Sequence, residues 1–118
     1  MTTDGNLIEI EAATARAWME SGEAVLVDVR EASEYEFENV PGSVLLPLSF
    51  LDADRFPAIT EKKIVFLCAM GKRGATAQQT LANTGLAHIY NLVGGLEGWK
   101  KAGYETQGGR FEALDYTI

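Results

Sequence analysis

The chain has a single cysteine, a single histidine and only three prolines among its 118 residues. One cysteine cannot close an internal disulfide, which points to a reducing compartment. One histidine leaves a zinc-type site without its usual ligands. No metal or other cofactor is therefore expected, and His88 reads as a surface or strand-edge residue. Basic residues are also short: ten Lys and Arg face seventeen Asp and Glu, for a net charge of −7. With no basic patch and no aromatic-basic interleaving, that balance argues against a nucleic-acid partner. No apolar run approaches the roughly 20 residues that span a bilayer, so no membrane partner is expected. The first five residues, Met-Thr-Thr-Asp-Gly, carry neither the basic start nor the apolar core of a secretory leader. A cytoplasmic location is the expectation.

What the chain does contain is alternation. Residues 7–10 read as a first strand and 11–21 as a helix, with Ala15, Trp18 and Met19 on one side and Gly22 as the stop. Residues 24–27, Ala-Val-Leu-Val, form a continuous apolar run, the mark of a strand covered on both faces. Residues 31–38 read as a short acidic helix or turn, 44–46 as a third strand and 64–67 as a fourth. Between the last two, Ser49 is expected to cap a short helix through Arg55, with Asp52 reaching back toward the cap and Pro57 ending it. A helix over 74–84 stopped by Gly85, a fifth strand over 89–92 and a last helix over 96–102 closed by Gly103 complete the series. The pattern predicts an α/β fold in three layers: a mostly parallel five-stranded sheet with helices on both faces. One domain is expected over residues 1–106, and residues 107–118 are read as a loosely held C-terminal tail.

In such folds the ligand site lies beyond the carboxyl ends of the strands. Two polar clusters fall there: Asp28-Val29-Arg30 after the second strand, and Cys68 through Arg73 after the fourth. A free cysteine in an apolar run is usually packing. Here it sits at a strand-to-helix turn, followed by Ala69-Met70-Gly71-Lys72-Arg73-Gly74. A glycine-containing loop at a helix N-terminus aims several N–H groups at one spot, and with Lys72 and Arg73 it favours an anionic sulfur. Gly71 leaves room for a tight loop and close approach. Two chemistries need such a cradle. One is sulfur transfer, in which Cys68 carries a sulfane sulfur as a persulfide. The other is phosphate or arsenate chemistry, in which Cys68 attacks a tetrahedral oxyanion. No Ser-His-Asp arrangement competes, since His88 stands alone.

The motifs in order resemble the rhodanese-like domains, single-domain sulfurtransferases. Residues 26–31, Leu-Val-Asp-Val-Arg-Glu, with Glu34 and Tyr35, look like the family's first signature. Val40-Pro41-Gly42-Ser43 with Pro47 is similar to its Ile-Pro-Gly-Ala segment. Cys68 to Arg73 resembles its active-site loop, and Ala77, Leu81 and Gly85 the helix after it. Residues 92–99, Leu-Val-Gly-Gly-Leu-Glu-Gly-Trp, with Ala102 and Gly103, resemble the closing signature. The resemblance implies Cys68 as persulfide carrier, with substrate held by the loop from Ala69 through Gly74. It also implies that Arg73 and Asp28 or Arg30 shape the pocket wall, where loop ion pairing is an equal reading of Asp28 and Arg30. Trp99 and the Gly94-Gly95 pair read as structural, a buried aromatic and a tight turn.

Loop length separates the chemistries by resemblance: family sulfurtransferases span cysteine to loop end in six residues, and related phosphatases need one more. Cys68 to Arg73 is six. Three departures stand out. Glu38-Asn39 replaces a Gly-His, Gly74 replaces a Ser or Thr, and Ala69 and Met70 stand where thiosulfate-specialised members carry cations. The expected partners are a small sulfane-sulfur donor, thiosulfate or a persulfide, and a thiol or cyanide acceptor. Met70 at the entrance also suits a partner protein's persulfide. The alternatives are a phosphatase or arsenate reductase using the same thiol, and a non-catalytic interaction module.

Overall fold

The computed structural model describes residues 8–56, 61–82 and 88–108. The expected start of the first strand at Leu7, the stop at Pro57, the helix end at Thr84 with Gly85, and the tail from 109 onward lie outside the described residues. Five strands form one sheet: β1 (Ile8–Ile10), β2 (Ala24–Asp28), β3 (Val44–Leu45), β4 (Lys63–Leu67) and β5 (Ile89–Leu92). Their order is β1-β5-β4-β2-β3, and every pairing is parallel. The helices are α1 (Ala12–Ser21), α2 (Ala32–Phe37), α3 (Lys72–Thr80) and α4 (Gly95–Lys101). This is the expected α/β architecture.

Side-chain alternation along the strands builds the layers. Leu26, Val65, Leu67 and Leu92 face one side, where they pack with Ala12 and Ala15 of α1 and Leu96 and Trp99 of α4. Val27, Ile64, Phe66 and Ile89 face the other, against Ala77 and Leu81 of the α3 region. Burying each large side chain contributes about 1.5–3 kcal/mol, so both faces of the central strands stabilise the sheet. Trp99 is buried, and its indole N–H donates to the Glu105 carbonyl at 2.8 Å, which satisfies the polar edge that burial would orphan.

Several boundaries shift. The third strand ends at Leu45, although the Leu46 N–H still bonds the Asp28 carbonyl at 2.8 Å. The helix after the cysteine loop begins at Lys72 rather than 74, because Gly71 already takes the N-cap position. The last helix begins at Gly95 rather than 96. The helix expected over 49–55 does not form. A single 3-10 turn covers Leu48–Phe50, and Ser49 Oγ donates to the Glu31 carboxylate at 3.0 Å instead of capping. Asp52 turns its oxygen onto the Asp54 N–H at 3.0 Å, a local bond that competes with helix. Packing decides the outcome: Leu48, Leu51, Ala53 and Phe56 all lie against the α3-side core.

Candidate active site

The site grows from β4, the central strand. Its alternation continues one residue beyond Leu67, so Cys68 turns its side chain to the α3 side of the sheet. The chain then curls through Ala69 and Met70 into Gly71 and enters α3. The Gly71 N–H donates to Cys68 Sγ at 3.0 Å, and the Gly74 N–H, in the first turn of α3, donates at 3.3 Å. Donors converging on one sulfur at a helix N-terminus stabilise negative charge there. The N–H groups of Ala69, Met70, Lys72 and Arg73 have no acceptor within the described protein.

The loop is held from below by α4. The Leu96 N–H donates to the Cys68 carbonyl at 2.7 Å, and the Glu97 N–H to the Ala69 carbonyl at 3.2 Å. Because a trans peptide directs its N–H opposite to its C=O, this grip turns the Ala69 and Met70 N–H groups away from α4. Gly95 lies so close to the loop that a Cβ there would overlap the Cys68 carbonyl oxygen and stand 2.7 Å from Ala69 C. The Gly94-Gly95 pair is thus more than a turn: it brings a second helix N-terminus under the loop.

The sulfur is less open than a free nucleophile. Cys68 is 1% exposed, whereas Met70 beside it is 67% exposed. Two amides, those of Gly71 and Gly74, face the sulfur, but the residue sits beneath the surface among Val29, Phe66 and Ala77.

The two loop cations differ. Lys72 is exposed and, among the described residues, makes no ion pair. Arg73 turns outward to α2, where its guanidinium meets the Glu34 carboxylate. Glu34 also accepts the Glu31 N–H at 2.9 Å. The Arg73 hydrogen bonds, with that backbone bond, hold the Glu34 carboxyl at about 2, against an ordinary 4.5, and burial offsets only part of the effect. The same pairing pushes Arg73 up. The positive potential expected from Arg73 is therefore largely neutralised.

Asp28 and Arg30 lie at the carboxyl end of β2 and are bound to each other. Arg30 Nη2 stands 2.8 Å from Asp28 Oδ2, with both side chains buried, and also donates to the Glu38 carbonyl at 2.6 Å. Of the two readings of this pair, ion pairing is the one the structure shows. Losing one member would strand a buried charge, at about 3–5 kcal/mol. Glu38 and Asn39, which stand in place of the Gly-His, bind the last turn of α4 and the segment that follows it. Glu38 pairs with Lys100 at 3.2 Å and accepts the Thr106 hydroxyl at 2.6 Å, and Asn39 exchanges backbone bonds with Gln107.

Sequence reasoning missed Glu34 as the partner of Arg73, the N-terminus of α4 as a clamp, and Asn91. Asn91 projects from β5 and donates to the Gly71 carbonyl at 2.9 Å. The signal for it was a lone carboxamide in an otherwise apolar strand. A separate cleft of about 320 Å³ opens on the opposite face of the sheet, lined by Arg16, Met19, Leu26, Pro41 and Trp99, and includes none of the loop residues.

A parallel sheet with a cysteine loop at the end of its central strand defines a class of thiol-bearing α/β domains. Residues 11–102 match the family model of the rhodanese-like domain, and the chain belongs to that family. An uncharacterised protein of Synechocystis is 34% identical over 99 residues, 84% of this chain and 55% of that protein. A thiosulfate sulfurtransferase of Coxiella burnetii is 30% identical over 86 residues, 71% of this chain and 80% of that protein. Among solved structures, a Rhodopseudomonas palustris protein of unknown function, described as a possible tyrosine phosphatase, superposes with a TM-score of 0.77 at 29% identity. That match covers 90% of this chain and 89% of the other. The chain spans about half the length of several curated relatives it matches. No described helix is long and apolar enough to cross a membrane.

Proposed function

We propose that this domain is a sulfurtransferase that moves a sulfane sulfur through a persulfide on Cys68. The observation that carries the reading is the pair of N–H bonds from Gly71 and Gly74 onto Sγ. In the first half-reaction the Cys68 thiolate attacks the outer sulfur of the donor. With thiosulfate, the S–S bond breaks, its electron pair leaves with sulfite, and Cys68-S-S⁻ remains. In the second half, cyanide or an acceptor thiolate attacks the outer sulfur and returns Cys68 as the thiolate, leaving thiocyanate or a new persulfide. In this reading the N–H groups of Ala69, Met70, Lys72 and Arg73, which have no acceptor among the described residues, receive the outer sulfur, while Gly74 contributes its own N–H to Cys68 Sγ. Asp28 and Arg30 support the loop from β2 through their ion pair. The thiol must stay reduced between turnovers, which fits a cytoplasmic setting.

Met70 stands exposed beside the sulfur and Arg73 is neutralised, which favours a persulfide donor, small or carried by a partner protein, over the thiosulfate dianion. Intact-mass measurement tests the reading. The protein treated with a sulfane donor should gain one sulfur atom, lose it on reduction, and gain nothing as Cys68→Ser. Double-reciprocal plots for donor and acceptor should be parallel. No sulfur gain and intersecting lines would overturn it.

A phosphatase reading is favoured by the resemblance to the possible tyrosine phosphatase, and opposed by the six-residue span from Cys68 to Arg73. Hydrolysis of an aryl phosphate without sulfur loading would support it. Full biological function after Cys68→Ala would instead support a non-catalytic interaction module.

A further inference from the structure

Asn91 is fully buried in the sheet, and its two amide atoms have unlike surroundings. Nδ2 donates to the Gly71 carbonyl at 2.9 Å and lies 3.4 Å from Glu9 Oε2. Oδ1 is buried with no partner. An orphaned buried acceptor is a cost that packing alone would avoid, since a leucine of similar shape would carry none. The room for this amide is made by Gly74. A Cβ on Gly74 would overlap Asn91 Oδ1 and stand 3.1 Å from Cγ. Asn91 therefore touches both residues whose N–H groups reach the sulfur: its Nδ2 donates to the Gly71 carbonyl, and its Oδ1 fills the space beside Gly74 where a Cβ would stand.

We propose that Asn91 is a positioning residue for the sulfur cradle, fixing the Gly71 and Gly74 amides on Cys68 Sγ, and that Gly74 is glycine here to admit it. The proposal rests on Cys68 being the reactive sulfur of the proposed function. The Gly71 carbonyl also accepts the Ala75 N–H at 3.2 Å, the first bond of α3. Removing the Asn91 amide thus leaves no backbone acceptor orphaned and spares the helix. What is lost is the tie from β5 that sets where the helix start stands relative to the sulfur.

The test reads the sulfur rather than turnover. Asn91→Leu, Asn91→Ala, Gly74→Ala and the double variant Gly74→Ala/Asn91→Ala are compared with the unaltered protein at one neutral pH. Two signals are followed: the ultraviolet absorbance of the Cys68 thiolate, with Cys68→Ser as blank, and the rate of reaction with methyl methanethiosulfonate. Circular dichroism monitors the fold. Asn91→Leu should keep the fold while the reaction rate falls roughly tenfold, the scale of a weakened hydrogen bond to a charged group, and the thiolate signal falls with it. Gly74→Ala should fall at least as far. The double variant should be no worse than Asn91→Ala, because the overlap is gone. Should Asn91→Leu not fold, Asn91→Ala and the double variant carry the same comparison. Normal thiolate signal and rate in the folded Asn91 variants, or Gly74 and Asn91 effects that simply add, would overturn the proposal. Neither signal needs sulfur transfer. An unaltered protein that transfers no sulfur would overturn the proposed function, while a drop in these signals would still place Asn91 behind the cradle.

Discussion

Arg73 and Glu34 meet fork to fork, Nη1 2.7 Å from Oε1 and Nη2 2.9 Å from Oε2. The contact joins the end of the cysteine loop to α2, 39 residues earlier in the chain. It gives the loop a fixed outer wall and removes a cation from the donor's path. Arg is suited to this because its planar fork matches a carboxylate at two points, which a lysine could not do.

Replacing Glu34 with Gln should therefore change donor preference. One negative charge leaves the neighbourhood of the loop, and the guanidinium is released. KM for thiosulfate should fall roughly two- to fivefold at low ionic strength, and the difference should shrink at ~1 M salt, where charges more than about 3 Å apart are screened. A persulfide donor of lower charge should respond less. Steady-state kinetics at two salt concentrations check this, and an unchanged KM for thiosulfate at low salt would leave Arg73 with no influence on capture.

The same pair sets a pH signature in stability. The folded carboxyl of Glu34 titrates at about 2, below its ordinary 4.5. Between those values the unfolded chain binds the proton and the folded one does not, so stability rises with pH across this window. The contribution is fully present above about 4.5 and is lost as pH falls through about 2. The melting temperature of the unaltered protein should exceed that of Glu34→Gln at pH 6, and the two should converge near pH 2. Both partners are about one-third exposed, so solvent screening keeps the gap small.

The sheet was legible because its strands are short apolar runs closed by glycine and polar turns, and the period of the pattern needs no tertiary information. The cysteine loop was legible for a related reason: strand, loop and helix are contiguous in sequence. What sequence could not deliver was anything joined across the fold. Glu34 looked like one more acidic residue in a short helix until Arg73 arrived from the far side of β4. Ser49 looked like a cap until the packing of Leu48, Leu51 and Phe56 pulled its segment flat against the sheet. The grip of Leu96 and Glu97 on the loop carbonyls depends on α4 starting beneath β4, which only the strand order reveals.

Burial of Cys68 predicts selectivity by reagent size. A bulky aromatic disulfide should modify the folded thiol roughly a hundredfold more slowly than the thiol in urea, the scale expected when access requires a local opening of about 2–3 kcal/mol. Methyl methanethiosulfonate, which is small, should show a much weaker protection. Thiol titration with both reagents checks this. Equal rates for the bulky reagent in folded and unfolded protein would mean that the sulfur is open to solvent.

Gly95 tests the clamp most directly when it is compared with Gly103. Both have positive φ, +58° and +89°, so alanine at either incurs the left-handed penalty of about 1–2 kcal/mol. Their surroundings differ. A Cβ on Gly103 meets nothing within 4 Å, whereas one on Gly95 overlaps the Cys68 carbonyl oxygen and crowds the Ala69 peptide. Gly95→Ala must push the loop away from α4 and weaken the bonds from Leu96 and Glu97, a crowding cost of roughly 1–3 kcal/mol more. Urea unfolding should place Gly95→Ala clearly below Gly103→Ala in stability, and only Gly95→Ala should lose sulfur loading, because its loop amides no longer face the thiol. Equal stability and equal loading in the two variants would mean that the loop keeps its shape without α4, and the second helix N-terminus would then be packing rather than part of the cradle.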